Sequence, residues 1–505
     1  MAIKSCKSKS ISEFGDFQTP LPLALAATKV LSRLGIRPRS ILEPTCGRGS
    51  FVAAAAKCFP AAKSIIGVDI NPNYLVAAAT VERTPASHVD LRQGDFFKVD
   101  WASIIAGTGA PWLILGNPPW VTSSYLGSIK GKNLPEKSNF QGRSGIEAIT
   151  GKSNFDISEW MMLQYLNWLK GTPGCIAVLC KTSIARKILL HVWTTKYPLH
   201  TAQIYKVEAL EHFGAAVDAC FFIMETGRKA QTPGGDIFDS LDAETPSHKI
   251  GFSDGHIISD IAAFNRHREI MGPEERYIWR SGIKHDCTKV MELALTEDGY
   301  RNGLGETVIL EDDLLFPMLK SSDVGNGRDC GRSVMLVTQQ LVGQDTSYIK
   351  TKTPKTWEYL NRHSALLSRR ASTIYKNKPA FSIFGVGPYS FAPWKVAISG
   401  FYKKLHFLRI APFNGRPIVF DDTINFLPCW SEEEARFIEE IFASDAAQQF
   451  LGSMIYWNDK RPITVDVLKR LSIRRLAAML GVERDYSRFT APELPLFAAA
   501  HAPHS

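Results

Sequence analysis

The chain has 505 residues, 45% hydrophobic and 22% charged, the composition of a soluble globular protein long enough for more than one domain and sizeable cores. No apolar run approaches the ~20 residues of a membrane span, and the Lys/Ser-rich start from Met1 to Ser12 lacks a signal-peptide core. Nine cysteines, an odd number without a Cys-x-x-Cys pair, argue for reduced thiols in the cytoplasm rather than a disulfide framework or zinc site, while a net charge of +9 suits a polyanionic partner.

In chain order, the first recognisable unit is Ser40-Ile41-Leu42-Glu43-Pro44-Thr45-Cys46-Gly47-Arg48-Gly49-Ser50-Phe51. It reads as a short strand, a glycine-bearing turn and the approach to an Ala-rich helix, Val52 to Lys57. Glycines at the first strand–helix junction of an α/β sheet let backbone approach a ligand closely. Ile65 to Asn71 reads as a second strand ending in an acid, Asp69. The separation from the turn is close to the roughly 20 residues at which such sheets place a ribose-binding carboxylate. A third acid, Asp95, follows a strand around Val89 to Arg92, within Gln93-Gly94-Asp95-Phe96-Phe97.

The apolar run Trp112-Leu113-Ile114-Leu115 then stops at Asn117-Pro118-Pro119-Trp120. Two prolines stiffen that turn and remove two backbone donors, so neighbouring carbonyls can point outward. Beside them stand an amide able to accept a hydrogen bond and an aromatic plate able to stack on a flat ring. Such a set can hold a planar group bearing an exocyclic amine, such as adenine, by edge and face. Acids after three strands and Asn-Pro-Pro-Trp after a fourth fall on one rim of a parallel sheet.

Further along, Lys130 to Asn154 is Gly/Ser/Asn/Lys-rich and too long for an ordinary connection; a mobile loop beside this rim is expected. Phe155 to Leu169 reads as an amphipathic helix, Gly174 to Leu179 as a strand, and Phe221 to Met224 as the last strand of the sheet. Arg228 to Ser247 is polar and rich in turn residues, the expected start of an interdomain connection. Lys350 to Lys378 holds eight Lys and Arg against one acid, Glu358, interleaved with Trp357, Tyr359, His363 and Tyr375. This alternation suits phosphate contacts along a duplex; a solvated helix face is the alternative. Phe381 to Val386, Trp394 to Ser399, Leu405 to Ile410, Pro417 to Phe420 and Ile424 to Leu427 read as strands. Ser431-Glu432-Glu433-Glu434 opens a helix with a capping-box pattern that runs towards Met454. Arg461 to Thr464 leads into another helix through Leu471, and a flexible tail is expected beyond about Glu483.

These motifs, in this order, resemble the gamma class of N6-adenine DNA methyltransferases that use S-adenosylmethionine. The resemblance covers roughly residues 14–225. Its core is Ile114-Leu115-Gly116-Asn117-Pro118-Pro119-Trp120, with Trp where Tyr or Phe is commoner. It implies a Rossmann-like class I methyltransferase α/β sheet with helices on both faces, over 14–227. A connection at 228–275, a mixed, strand-rich target-recognition domain at 276–480 and a tail at 481–505 would follow. By the resemblance, Phe17-Gln18-Thr19-Pro20 closes over the methionine part of the cofactor with Thr19 near its carboxylate, and Glu43, Thr45 and Gly47 hold the methionine moiety. Asp69 accepts from the ribose hydroxyls, Asp95 accepts from the cofactor's adenine amino group, and Phe96 packs on that ring. Asn117 and the Pro118 carbonyl accept from the target N6 amine within the Pro118-Pro119 turn, and Trp120 stacks on the base. Phe213, in His212-Phe213-Gly214, resembles a second aromatic contact to that base; a turn-flanking core residue is the other reading.

The residue types agree with the chemistry. Methyl transfer from a sulfonium is an in-line displacement that calls for neither a metal nor a covalent nucleophile. The N6 lone pair is delocalised into the ring, so two acceptors drawing its protons favour a pyramidal nitrogen and stabilise the positive charge that develops there. N6 is inaccessible inside a duplex, so the base must be flipped out.

Asn-Pro-Pro-aromatic also serves enzymes that methylate protein glutamine or RNA, and a catalytically silent DNA-binding subunit is a third alternative. The expectation is a monomeric, cytoplasmic modification enzyme acting on double-stranded DNA, paired with a separately encoded restriction endonuclease or acting in phage defence. No nuclease cluster is legible in the chain.

Overall fold

Short runs that are apolar on both sides are stable only where both faces of a sheet are covered. Two such runs form β1 (Ser40–Glu43) and β4 (Trp112–Gly116), buried along their whole length. The computed structural model describes residues 17–81, 88–121, 156–227, 233–331 and 333–490. It divides into two compact units, one ending at Ile261 and the other beginning at Ala262.

The first unit is built on a ten-stranded sheet. Its remaining strands are β2 (Ser64–Asp69), β3 (Val89–Gln93), β5 (Gly174–Lys181), β6 (Leu199–Val207), β7 (Ala219–Thr226), β8 (Gly234–Phe238), β9 (His248–Ser253) and β10 (His256–Ile258). From one edge the order is β3-β2-β1-β4-β5-β7-β6-β8-β9-β10. The first five run parallel, and β7 is inserted antiparallel between β5 and β6. The order reverses between β1 and β4, which opens a crevice at the carboxyl ends of those strands.

Helices α1 (Leu21–Arg33), α2 (Ser50–Cys58), α3 (Pro72–Thr80), α4 (Trp101–Ala106), α5 (Ile157–Trp168), α6 (Thr182–Thr194) and α7 (Ala209–Phe213) complete the layers. Leu23, Ala24, Ala27, Val30 and Leu31 of α1 are buried at helical spacing. In α2, four successive alanines, Ala53 to Ala56, are buried, and their small side chains allow close helix–sheet packing.

The segment expected as a connection behaves differently in part. β8 pairs in parallel with β6, and the β9–β10 hairpin extends the same sheet to Ile258. Phe221–Met224 therefore lies within β7, inside the sheet. The expected loop at 130–154 lies outside the described residues.

The second unit has two sheets, one of four antiparallel strands and one of six mostly antiparallel strands. The first contains Trp394–Ser399, Leu408–Ile410 and Ile424–Cys429. The second contains Val419–Phe420, which runs parallel to Leu315–Leu319. Phe381–Val386 is not a strand: only Phe384 makes a bridge, to Lys284. Ser431 caps the helix Glu432–Ala443 by accepting from Glu434 N. A second helix, Asp445–Gly452, starts after the extended residue Ser444. The supposed tail begins with a helix, Glu483–Thr490, anchored by buried Tyr486, whose hydroxyl donates to Glu274 at 2.9 Å. No helix among the described residues is long and apolar enough to cross a membrane.

Candidate active site

The crevice at the β1/β4 reversal opens into a cavity of about 370 Å³. The β1–α2 turn approaches it with two left-handed glycines, Gly47 (φ 50°) and Gly49 (φ 82°). A Cβ on Gly47 would stand 2.7 Å from the Gln18 amide oxygen, and one on Gly49 2.7 Å from Ala78 Cβ. The turn is further fixed by Asp69, which accepts from Gly47 N and, on its other oxygen, from Asn71 N, both at 2.8 Å.

Across the cavity the chain preceding α1 forms a strap. Gln18 Oε1 accepts from Arg48 N at 3.0 Å, and Ser50 Oγ donates to the Thr19 carbonyl at 2.7 Å. At its far end the strap meets the Asn-Pro-Pro turn. Asn117 donates through Nδ2 to the Phe17 carbonyl at 3.0 Å and to Thr19 Oγ1 at 3.2 Å. A carbonyl can only accept, so the amide nitrogen must face the strap. Asn117 Oδ1 is buried and has no hydrogen-bond partner among the described residues.

Glu43, at the end of β1, is buried, and its Oε2 also has no hydrogen-bond partner among the described residues. Burial first, and then the charge of Asp69, raises its carboxyl well above the usual carboxylate range; a backbone bond from Val52 partly offsets this. A buried acid in that state is suited to a cationic ligand group.

Of the residues expected to hold the cofactor, Thr19, Glu43, Thr45, Gly47, Asp69 and Phe96 line the cavity together. Asp95 is not among its lining residues, although Gly94, Phe96 and Phe97 are. Asp95 instead accepts from Phe97 N at 3.0 Å and lies 3.4 Å from Lys98 Nζ. Phe96 packs against Trp101, Trp160, Tyr165 and Trp168. S-adenosylmethionine carries an ammonium, a sulfonium, a ribose diol and an adenine ring. The buried Glu43 carboxyl, the Asp69 carboxylate at the cavity wall and the aromatic wall around Phe96 fit those groups.

Asn117 and Pro119 also line the cavity, whereas Pro118 is buried and is not among its lining residues. Trp120 is only 6% exposed. Its ring packs against Phe17 at 5.5 Å and Phe213 at 5.2 Å, and Phe17 meets Phe213 at 6.0 Å. The two rings expected around a flipped base, Trp120 and Phe213, therefore occupy one another together with Phe17 of the strap.

Lys181 and Asp156 are absent from the residues singled out above. Lys181 Nζ donates to the Trp120 carbonyl at 3.2 Å and to Asp156 Oδ2 at 2.6 Å, which pins the carboxyl end of the motif. The sequence signal was available: Lys181 ends β5 on the same rim, and Asp156 caps α5. Gln18 was likewise readable only as part of the strap. Among the described residues no group of His, Cys, Asp and Glu is placed to hold a metal ion.

No family model matches the chain. It is 44% identical to the type II methyltransferase M.NspV of Nostoc sp. over 474 residues, 94% of this chain and 98% of that protein. Its fold resembles that of the type IIL restriction-modification enzyme MmeI, solved in complex with DNA. That match has a TM-score of 0.50 at 11% identity, covering 92% of this chain and 76% of MmeI. A putative class I S-adenosylmethionine-dependent methyltransferase from Listeria monocytogenes is similar over 45% of this chain and 67% of its own, with a TM-score of 0.33 at 14% identity.

Proposed function

The chain belongs to the type II DNA methyltransferases, with S-adenosylmethionine as its methyl donor, and on that premise we propose that it methylates N6 of a flipped-out adenine in duplex DNA. The observation that carries this reading is the Asn117 amide, held by its nitrogen, with a buried oxygen that has no partner among the described residues. An acceptor without a partner at that position suits a donor on the substrate, as the exocyclic amine of adenine is. The cofactor supplies an electrophilic methyl group on a sulfonium.

The chain's own residues supply orientation and charge. Asn117 Oδ1 and the Pro118 carbonyl accept the two N6 protons and aim the nitrogen lone pair. As methyl transfer makes that nitrogen cationic, both acceptors bind it more tightly, so they act in the transition state more than in the ground state. The strap holds Asn117 in register, and Thr19 Oγ1 is its second acceptor, so we assign Thr19 a positioning role as well as its place on the cofactor cavity. Trp120 stacks on the base, which requires Phe213 or Phe17 to give way to it. Glu43 takes the methionine ammonium, and Asp69 takes the ribose. Asp95 reaches the cofactor only by turning away from Lys98. In this reading the chain modifies sites that a separately encoded endonuclease would otherwise cut.

The test is a substrate panel of duplex DNA, structured RNA and glutamine peptides, each incubated with donor labelled in the methyl group. Label in N6-methyladenine from DNA is expected, with the rate falling about 100-fold or more in Asn117→Ala, as for loss of one preorganised transition-state contact. Label in RNA or peptide but not in DNA would overturn the reading.

A further inference from the structure

The basic stretch Lys350–Lys378 of the second unit divides into an inward and an outward set. Tyr359 is buried and donates to the Val290 carbonyl at 2.8 Å, and the Trp357 ring meets Phe381 edge-on at 5.5 Å. Arg370 donates to the carbonyls of Leu367, His285 and Ser382, with its guanidinium 3.6 Å from the centre of the Tyr375 ring. These groups build the fold. Lys350, Lys352, Lys376 and Lys378 are exposed, and none has an ion-pair partner among the described residues. The basic face therefore keeps its cations but has turned its rings inward.

Beside those lysines stands a turn, Gln339 to Gln344, braced by its own amides. Gln344 Oε1 accepts from Gln340 N at 2.7 Å and from Leu341 N at 3.4 Å, while Gln339 Nε2 donates to the Gln344 carbonyl. Gln339 Oε1 accepts from Ile383 N at 2.9 Å. Thr338 and Thr346, flanking the turn, donate to the carbonyls of Phe381 and Ala380 at 2.7 and 2.6 Å. The turn is thus tied to the run that Lys376 and Lys378 enter, and it leads into the helix Ile349–Lys352, which carries Lys350 and Lys352. At its tip Leu341 and Val342 are 56% and 48% exposed, followed by left-handed Gly343. The nearest acid in sequence, Asp345, is turned back onto Ser347.

We propose that this turn is a wedge that enters the DNA duplex, with Leu341 and Val342 lodged against the bases and Lys350, Lys352, Lys376 and Lys378 on the flanking phosphates. A braced turn cannot collapse to hide two adjacent apolar side chains, so they stay presented to solvent until a partner covers them. Unpaired cations around an apolar tip match a duplex, with phosphates outside and stacked bases within. Apolar side chains pushed between base steps partly unstack them and kink the helix, and unstacking lowers the cost of extruding a base. The wedge rests on the reading of DNA as substrate.

The test uses the full chain and a duplex bearing a sequence that the wild type methylates, against a scrambled duplex, with binding followed by fluorescence anisotropy between about 50 and 200 mM salt. The Leu341→Ala/Val342→Ala variant is expected to keep the wild-type salt dependence but lose preference for the methylated sequence at least ten-fold. Gln344→Ala, which removes the brace and keeps the tip, is expected to lose part of the same preference. Replacing the four lysines by alanine is expected to flatten the slope of log K against log salt by about 3 to 4. Cofactor binding is unchanged in every variant. A double variant with wild-type preference overturns the wedge, whatever the lysines do. If the wild type transfers methyl to no duplex at all while binding the cofactor, the DNA reading falls and the wedge with it.

Discussion

Asn117 shows how little freedom the site leaves a single side chain. An amide can present either end to a ligand, but the Phe17 carbonyl and Thr19 Oγ1 take its nitrogen, so oxygen is the end left over. An unpartnered buried acceptor costs about 1–3 kcal/mol, a cost offset when a substrate amine binds. Thr19→Val keeps the shape and removes one acceptor. Its kcat should fall about ten-fold, one tenfold step in rate being ~1.4 kcal/mol, with a smaller rise in the cofactor Kd; Thr19→Ser should restore it. A variant with unchanged kcat and a raised Kd would make Thr19 a cofactor contact alone.

Glu43 gives a pH signature of the opposite kind. Its carboxyl is raised by burial and by Asp69 while no ligand pairs with it. A cationic ammonium selects the ionised form, so binding expels a proton wherever the acid was protonated. Cofactor affinity should therefore fall as pH drops through that raised value and level off above it. Calorimetry in buffers of different ionisation heat should show proton release at the low end. Glu43→Gln should flatten the profile and weaken binding roughly 10- to 100-fold, the size of a lost charge-assisted bond.

At the scale of elements, the β1–α2 junction depends on backbone that only glycine adopts readily. Gly49→Ala would place a Cβ on Ala78 at a positive φ, and should lower unfolding stability by about 2 kcal/mol, seen as a lower urea midpoint. A midpoint within error of wild type would show that α2 can shift to accommodate it. The strands around this junction were legible because each is a short apolar run ending at a punctuating motif. β8–β10 were not, because Gly234-Gly235-Asp236 and the His248 run are polar at an edge that is half solvated. Phe381–Val386 has strand composition, yet its aromatic residues serve as plugs: Phe381 fills the core against Trp357. The strap was legible only through resemblance. Its tie to Asn117 spans 100 residues of sequence and leaves no periodicity to read.

For the whole molecule, the net charge of +9 has consequence only where cations lack partners. Four such lysines beside the Gln339–Gln344 turn correspond to a slope near −3.6, so a four-fold rise in salt should weaken DNA binding on the order of 100-fold. The cofactor, held in a crevice, should be nearly indifferent to the same change. Binding of DNA that hardly changes with salt would remove the basic face from the account.

The central claim is chemical: a buried amide oxygen, held by the strap, receives the N6 amine of adenine. The most direct measurement is nucleoside analysis by mass spectrometry of DNA from a host without adenine methylation of its own, expressing either the wild type or Asn117→Ala. N6-methyladenine in the first and none above background in the second is the predicted result. Wild-type DNA free of N6-methyladenine, or an equal level in the Asn117 variant, would contradict it.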